Sequence, residues 1–194
     1  GFCSAASRRL MPRPPLFVFY KRSVTMAQFR EITPSELSDN PFTLIGEDWM
    51  AVTAAAKERV NTMTASWGGV GILWGLPVAT VYIRPQRYTR EFIDQSVSFS
   101  LSVFDAAHRA TLSYFGSVSG RDADKIKESG LTVAYDGETP YFSEARLVLF
   151  CRKLYRQEMK PESFVDTALV RQWYPERDYH IMYVGAVEKI LRRE

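Results

Sequence analysis

Three short segments of the chain concentrate side chains that could bind a polar or anionic ligand. The first is residues 61–67, NTMTASW, where an amide and several hydroxyl groups adjoin a tryptophan. A buried hydroxyl or N–H group without a partner costs about 1–3 kcal/mol, so this segment suits a planar ligand with polar edges. The residue types leave open a second interpretation, a β-turn rich in threonine and serine whose hydroxyl groups bond within the protein.

The second segment, residues 84–89, follows an apolar run and carries two guanidinium groups three positions apart. Thr89 is predicted to be the N-cap of a short helix, and the backbone N–H groups at a helix start favour an anion. A phosphate group would fit four residues there: Arg84, Arg87, Tyr88 and Thr89. The alternative is a solvated basic loop whose arginines pair with Glu91 or Asp94.

The third segment, residues 117–125, offers a hydroxyl group, a glycine and a lysine close to a predicted helix start. The helix is predicted over residues 123–129, with Asp122 as N-cap and Gly130 in the left-handed position that ends it. Lys125, with Ser119 and Gly120, could complete an anion site. An exposed lysine balanced by Asp122 or Asp124 is an equally good interpretation of the spacing.

The elements that must position these segments are mainly strands. Short apolar runs bounded by turn-forming or charged residues predict strands at residues 50–56, 77–83 and 99–104, and longer ones beginning near Ala145 and Tyr179. Glycines at 68, 69 and 75 divide the region between the first two strands into brief extended pieces. Because strands and helices do not alternate regularly, the prediction is a mainly β protein, a closed or partly closed antiparallel barrel with accessory helices.

Composition narrows the class of protein. The chain has 194 residues, of which 46% are hydrophobic and 24% charged, which fits one globular domain. No apolar stretch approaches the ~20 residues of a membrane-spanning helix. Two cysteines and two histidines predict neither a disulfide framework nor a metal site, and this cysteine usage suits the reducing cytoplasm. No metal and no membrane association are expected.

The net charge of +3 comes from the N-terminal residues. Residues 1–25 hold five basic residues and no acid, and the remainder has 20 basic and 22 acidic residues. A remainder of charge −2 offers no basic field for a phosphate backbone, so nucleic acid is not an expected partner. We predict that residues 1–28 are an extension outside the fold, with Met26 as the natural start, and that residues 29–194 form the domain. Translated upstream sequence is favoured over a transit-like peptide, because three prolines interrupt any amphipathic helix.

Taken together, the three segments resemble the FMN-binding split-barrel proteins of the flavin reductase-like family, which includes flavoredoxin. The resemblance extends over roughly residues 40–192, with matching strings NTMTASW, VYIRPQRYT, SGRDADK with Gly130-Leu131, and HIMYVGAVEKI. It implies a Greek-key-like split β-barrel, a homodimer, and one FMN per subunit near the dimer interface. The NTMTASW and RPQRYT strings disfavour the split barrels that bind haem or oxidise pyridoxamine phosphate.

The resemblance also implies roles for individual residues. The wall beside the isoalloxazine ring would be formed, with much of the contact through backbone groups, by Asn61, Thr62, Met63, Thr64, Ala65, Ser66 and Trp67. The ribityl phosphate side would be formed by Arg84, Arg87, Tyr88, Thr89 and Lys125, assisted by Ser119 and Gly120. No residue is assigned a catalytic role, and His180 could be the family's histidine in the final strand or a structural residue.

The activity that the resemblance implies is that of an NAD(P)H-dependent flavin reductase, with NADH or NADPH as a transient donor of hydride to flavin N5. The reacting atoms would stand roughly 3–3.5 Å apart. The alternatives are a flavoredoxin-like electron-transfer protein that passes electrons to a redox protein acceptor, and an FMN-binding module without turnover.

Overall fold

The structure of the protein, a computed structural model, describes residues 28–194. The predicted N-terminal extension, residues 1–28, lies outside the described residues except for Gln28. Ten strands occur in the described part of the chain: β1 (Phe29–Ile32), β2 (Met50–Ala56), β3 (Arg59–Ala65), β4 (Gly68–Leu73), β5 (Leu76–Ile83), β6 (Ser98–Val103), β7 (Val133–Asp136), β8 (Thr139–Phe142), β9 (Leu147–Glu158) and β10 (Ile181–Arg193). The strands predicted from the apolar runs are confirmed.

Five α-helices accompany the strands within residues 28–194: α1 (Pro41–Thr43), α2 (Tyr88–Gln95), α3 (Arg109–Ser117), α4 (Lys125–Ser129) and α5 (Thr167–Trp173). Helix α5 belongs to a long excursion between β9 and β10, residues 159–180. None of the helices in the described chain combines the length and the hydropathy that crossing a bilayer requires.

One antiparallel sheet contains eight of the strands, in the order β3-β2-β6-β9-β10-β5-β4, with β1 paired to the end of β10. Strands β7 and β8 form a separate hairpin. Strands β3 and β4 are at opposite ends of this order, yet only Ser66 and Trp67 connect them along the chain. The sheet must therefore curve until its two edges approach each other, which gives a split barrel as predicted. The name seam is used below for the place where the edges of β3 and β4 approach each other.

Two hydrophobic clusters hold this arrangement together. The larger fills the barrel and includes Phe99, Leu101, Ile83 and Tyr183, each almost fully buried. The smaller packs the outer face of β2, β6 and β9 against α3 and the β7–β8 hairpin, through residues such as Leu112, Phe115, Phe142 and Phe150. Because β9 has cover on both faces, Leu147–Cys151 are all buried instead of alternating. Burial raises the pKa of the Cys151 thiol, so that it stays protonated.

Both predicted helix N-caps were wrong by two positions, whereas Gly130 ends the second helix in the left-handed conformation as predicted. Helix α2 begins at Tyr88 with Arg87 as N-cap, and Thr89 lies inside the first turn, where its hydroxyl group accepts a hydrogen bond from Asn61 instead of a backbone N–H. Helix α4 begins at Lys125, and the Asp124 side chain accepts from the N–H of Lys127. The N–H groups of Asp122 and Ala123 bond to the carbonyl oxygen of Ser119, so a turn occupies the predicted start of this helix.

Candidate functional site

Two adjoining cavities lie where β3, the end of β5, the start of α2 and the α3–α4 connection meet. We call the first the cationic cavity; it has a volume of about 220 Å³ and is lined by Asn61, Met63, Arg84, Gln86, Arg87, Tyr88, Thr89, Ser117, Val118, Ser119, Gly120 and Lys125. The second, the seam cavity, has a volume of about 170 Å³ and is lined by Met63, Thr64, Ala65, Ser66, Trp67, Tyr82, Arg84, Arg87, Trp173 and His180. Because Met63, Arg84 and Arg87 line both, the cavities form one elongated cleft.

All of the predicted site residues except Thr62 therefore line this cleft. Thr62 is fully buried, and its hydroxyl group bonds to that of Thr53 at 2.9 Å and donates to the carbonyl oxygen of Val52. Thr64 donates to the carbonyl oxygen of Leu112. For these two threonines the hydroxyl groups bond within the protein, which is what the second interpretation of residues 61–67 expected.

Lys125 is the most unusual residue of the cleft, because its ammonium group is buried. Its Nζ donates to the carbonyl oxygens of Phe115 and Val118, both at 2.9 Å, and only 3% of the residue is exposed. Loss of solvation, and then the charge of Arg87, lower the pKa of Lys125 to about 8. Neither Asp122 nor Asp124 forms an ion pair with it, so the interpretation as an exposed, balanced lysine does not hold.

Arg87 places a second poorly solvated cation beside Lys125. Its Nη1 donates to the carbonyl oxygen of Gly116 at 2.5 Å, and burial, followed by the charge of Arg84, lowers the pKa of the guanidinium group. The acids that could have neutralised it have other partners, since Glu91 pairs with Arg121 and Asp94 with Arg90. Within residues 28–194, no carboxylate forms an ion pair with either Arg87 or Lys125. The cavity is therefore electrostatically suited to an anion.

Arg84 differs from Arg87, because its charge is already balanced. It forms an ion pair with Asp178, and its Nη2 donates to the carbonyl oxygen of Trp173 at 2.9 Å. Gln86 also donates to Asp178, at 2.8 Å. Arg84 thus ties the excursion between β9 and β10 to the end of β5, and the ion pair leaves it less free than Arg87 to bind an anion.

The wall of the cationic cavity includes a close approach between Gly120 and Asn61. The Nδ2 of Asn61 donates to the Thr89 hydroxyl group at 2.9 Å, which fixes the amide. A Cβ atom on Gly120 would stand 2.2 Å from Oδ1 of Asn61 and 3.3 Å from the Tyr88 ring. Only glycine can occupy this position without moving its neighbours.

Aromatic residues surround the seam cavity. Trp67 packs perpendicular to Trp173, with 4.9 Å between ring centroids, and lies 5.0 Å from the His180 ring. Nδ1 of the buried His180 shares a hydrogen bond of 2.8 Å with the Tyr174 hydroxyl group. Burial, and then the charge of Arg84, lower the pKa of His180 to about 4, so the imidazole is neutral at pH 7.

Several residues of the cleft were not predicted from the sequence: Tyr82, Gln86, Ser117, Val118 and Trp173. Trp173 comes from α5, more than a hundred positions after Trp67, and nothing near it in the sequence signals a site. Gln86 and Ser117 stood inside predicted segments and could have been included. In the part of the chain that the structure describes, no three His, Cys, Asp or Glu side chains are grouped as metal ligands.

Comparison with known proteins agrees with the split-barrel fold. The chain belongs to the flavin reductase-like domain family, whose model matches residues 45–194. No curated protein matches the sequence.

Solved structures share the fold at low sequence identity. An FMN-binding domain of a flavin reductases-like enzyme from Shewanella baltica aligns with a TM-score of 0.62 and 20% identity, covering 86% of this chain and 78% of that one. Flavoredoxin from Methanosarcina acetivorans aligns with a TM-score of 0.59 and 22% identity, covering 76% and 69%. The NADH:FAD oxidoreductase of Streptomyces globisporus aligns with a TM-score of 0.57 and 16% identity, covering 76% and 77%.

Proposed function

We propose that the chain binds FMN and acts as an NAD(P)H-dependent flavin reductase, with NADH or NADPH as the transient donor. The observation that carries the proposal is the cleft itself. One end holds two poorly solvated cations without carboxylate partners, and the other end is bounded by strand β3 and the rings of Trp67 and Trp173. A phosphate ester attached to a planar ring system matches both ends.

In this proposal Arg87 and Lys125 hold the phosphate, together with hydroxyl groups of Thr89 and Ser119. Residues 63–67 and Trp67 in particular lie along the ring. Bound FMN supplies the hydride chemistry, so the protein has to position the two ring systems and exclude water. Burial, and then the charge of Arg84, keep His180, the histidine that lines the seam cavity, neutral at pH 7.

The direct test is oxidation of NADH and NADPH at 340 nm by the purified chain with added FMN, alongside a fluorescence titration of FMN binding. We expect FMN to bind and at least one nucleotide to be oxidised well above the rate in buffer. Bound FMN with no oxidation of either nucleotide would reject the reductase. A lack of FMN binding would reject the proposal altogether.

A flavoredoxin-like electron carrier is the second candidate function. It is favoured by the exposure of Trp67 (38%) and Trp173 (41%), which leaves aromatic edges accessible to a redox protein at the mouth of the seam cavity. A carrier would show slow turnover with NAD(P)H, complete chemical reduction of bound flavin and no release of it. Rapid release of reduced flavin would favour the reductase instead.

We propose that the chain is a homodimer in the cytoplasm. Four large apolar side chains around the β4–β5 turn are exposed: Ile72, Leu73, Trp74 and Leu76. Exposed apolar patches of this kind mark association surfaces, and β4 is an edge of the sheet next to the cleft. Light scattering tests the proposal, because a flavin-bound monomer of about 22 kDa would contradict it.

Lys125 predicts a pH dependence of FMN binding. The phosphate favours the protonated amine, so affinity should be constant between about pH 7 and 8 and fall as the pH rises above about 8. The free energy of unfolding of the ligand-free protein depends on pH in the opposite direction. Between about pH 8 and the ordinary value of 10.5, the unfolded chain binds more protons at this residue, so the ligand-free protein should become more stable as the pH rises.

Fluorescence titrations and urea unfolding across this range measure the two effects. Lys125→Met is the control, because it should remove both dependences while filling the same space. An affinity that stays unchanged from about pH 7 to 9.5 in the wild-type protein would place Lys125 away from the phosphate.

Trp67 should report directly on the ring of the flavin. Trp67→Phe is expected to preserve folding and to increase the emission of bound FMN, because an indole next to the flavin quenches it more strongly than phenylalanine does. Trp67→Ala should also weaken FMN binding about tenfold through lost ring contact. Trp49→Phe, at a tryptophan that lines neither cavity of the cleft, is the matched control. Loss of stability in Trp67→Ala with unchanged FMN affinity and emission would show that Trp67 only packs the fold.

A further inference from the structure

The amino group of Lys125 is held only by neutral partners. Two of its three N–H bonds donate to the carbonyl oxygens of Phe115 and Val118, each at 2.9 Å. Nζ forms no further hydrogen bond with any of residues 28–194. Because a neutral amine still has two N–H bonds, Lys125 can lose a proton and keep both of these hydrogen bonds. The lone pair then occupies the remaining tetrahedral position at Nζ.

Lys125 borders open space on two sides, although only 3% of the residue is exposed. It lines the cationic cavity and also a neighbouring cavity of about 520 Å³, which is bounded by residues 59–61, Tyr88 and residues 120–126. We call this second space the outer cavity. A small molecule that enters either cavity therefore comes to lie next to Lys125.

The surroundings of Lys125 favour the neutral amine. Loss of solvation, and then the charge of Arg87, lower its pKa to about 8, so roughly a tenth of the amine is neutral at pH 7. At the ordinary pKa of 10.5 this fraction would be about one in three thousand. None of the other charged residues that line the two cavities forms an ion pair with Lys125; these residues are Arg59, Arg84, Arg121, Asp122 and Asp124.

A neutral amine beside an anion site selects electrophiles that carry a phosphate group. In an acyl phosphate, one oxygen atom joins the carbonyl carbon to phosphorus. A phosphate group held by Arg87 therefore brings that carbon next to Lys125. The guanidinium group also stabilises the charge of the departing phosphate.

We propose that Lys125 is a site of covalent acylation by small acyl phosphates, and that this acylation prevents the flavin from binding. The amine attacks the acyl carbon, an N–C bond forms, and the C–O bond to phosphate breaks. Phosphate leaves with the electron pair, and the nitrogen gives its proton to water. The amide that results is uncharged and places the acyl group beside Arg87, so the cationic cavity loses one of its two unpaired cations. The effect on flavin rests on the proposed function, whereas the acylation rests only on the cavity and the amine.

The test is incubation of the purified chain with acetyl phosphate, while peptide mass spectrometry follows the acetylation of each lysine with time. We expect Lys125 to be acetylated at least ten times faster than Lys127, an exposed lysine of the same helix that lines none of the three cavities. Inorganic phosphate and FMN should each protect Lys125 and leave the rate at Lys127 unchanged. N-acetylimidazole, which transfers the same group without a phosphate, should show a smaller preference for Lys125.

A second measurement follows the affinity for FMN after the reaction. Protein acetylated at Lys125 should bind FMN at least ten times more weakly than untreated protein in a fluorescence titration. Lys125→Met, treated with acetyl phosphate in the same way, should show no change from its own untreated affinity. In Arg87→Ala, acetylation of Lys125 should slow about tenfold, because the variant lacks the group that holds the phosphate.

The outcomes separate the inference from the proposed function. Acetylation of Lys125 no faster than that of Lys127, or without protection by inorganic phosphate, overturns the inference whether or not FMN binds. An equal preference for Lys125 with N-acetylimidazole overturns the selection of acyl phosphates. Selective acetylation that phosphate prevents, in a chain that does not bind FMN, supports the modification site and rejects the proposed function. Unchanged FMN affinity after acetylation of Lys125 overturns the link between acylation and the flavin.

Discussion

Arg87→Ala is expected to weaken FMN binding by about 10- to 100-fold, the effect of losing a charge-assisted contact to phosphate of about 1.5–3 kcal/mol. The guanidinium is half-buried, lines both cavities of the cleft and has no carboxylate partner in the described residues. Its charge is thus available to the ligand, unlike that of Arg84, which Asp178 already neutralises. A fluorescence titration with FMN measures the change.

The stability of the ligand-free protein separates this role from a structural one. Arg87 lies among the like charges of Arg84 and Lys125, so its removal relieves repulsion while it breaks one hydrogen bond to Gly116. We expect little net change in the free energy of unfolding. Arg152→Ala is the surface control and should leave FMN affinity within twofold. A large loss of stability without loss of affinity would remove Arg87 from the site.

Gly120→Ala is expected to lower both the stability of the protein and its affinity for FMN. The new methyl group would lie 2.2 Å from Oδ1 of Asn61, so either the Asn61 amide or the 117–125 connection must move. Overpacking of this kind costs about 1–3 kcal/mol of stability. Because the same movement breaks the bond between Asn61 and Thr89 and shifts the wall of the cationic cavity, FMN affinity should fall more than tenfold.

Two comparisons make the Gly120 result specific. Gly71→Ala, on strand β4, meets no atom within 4 Å and should change neither stability nor affinity appreciably. Adding Asn61→Ala to Gly120→Ala removes Oδ1 of Asn61, the atom with which the new methyl group clashes. The double variant should therefore be more stable than the sum of the two single changes predicts. Strict additivity, measured by urea unfolding, would show that the two residues do not interfere.

The strands were predictable from the sequence, because runs such as residues 50–56 and 77–83 contain no exposed residue and are therefore mostly apolar. Helices α3 and α5 gave no such pattern. Helix α5 has no buried residue at all, and α3 buries only Leu112 and Phe115. Their positions are set by tertiary contacts, which local residue patterns do not record.

The candidate site was predictable to the extent that it lies in three continuous segments. The resemblance and the residue types grouped Arg87, Lys125 and Gly120, and these three residues line one cavity. Charge balance was not predictable, because Arg84 is neutralised by Asp178, 94 positions later in the chain. Thr62 was assigned to the wall beside the ring, but the alternation of side chains along β3 turns its hydroxyl group toward Thr53.

The seam of the barrel has a consequence for the exchange of backbone amide protons. Within residues 28–194, β3 pairs only with β2 and β4 only with β5, so each presents one free edge next to the cleft. A ligand bound along β3 would accept hydrogen bonds from amides that otherwise bond to water. Its binding free energy would stabilise the state in which these amides are protected from exchange. Those amides of residues 63–70 that face the free edges should therefore exchange quickly with deuterium in the empty protein and slow down with FMN, while amides in the middle of β9 stay slow in both states.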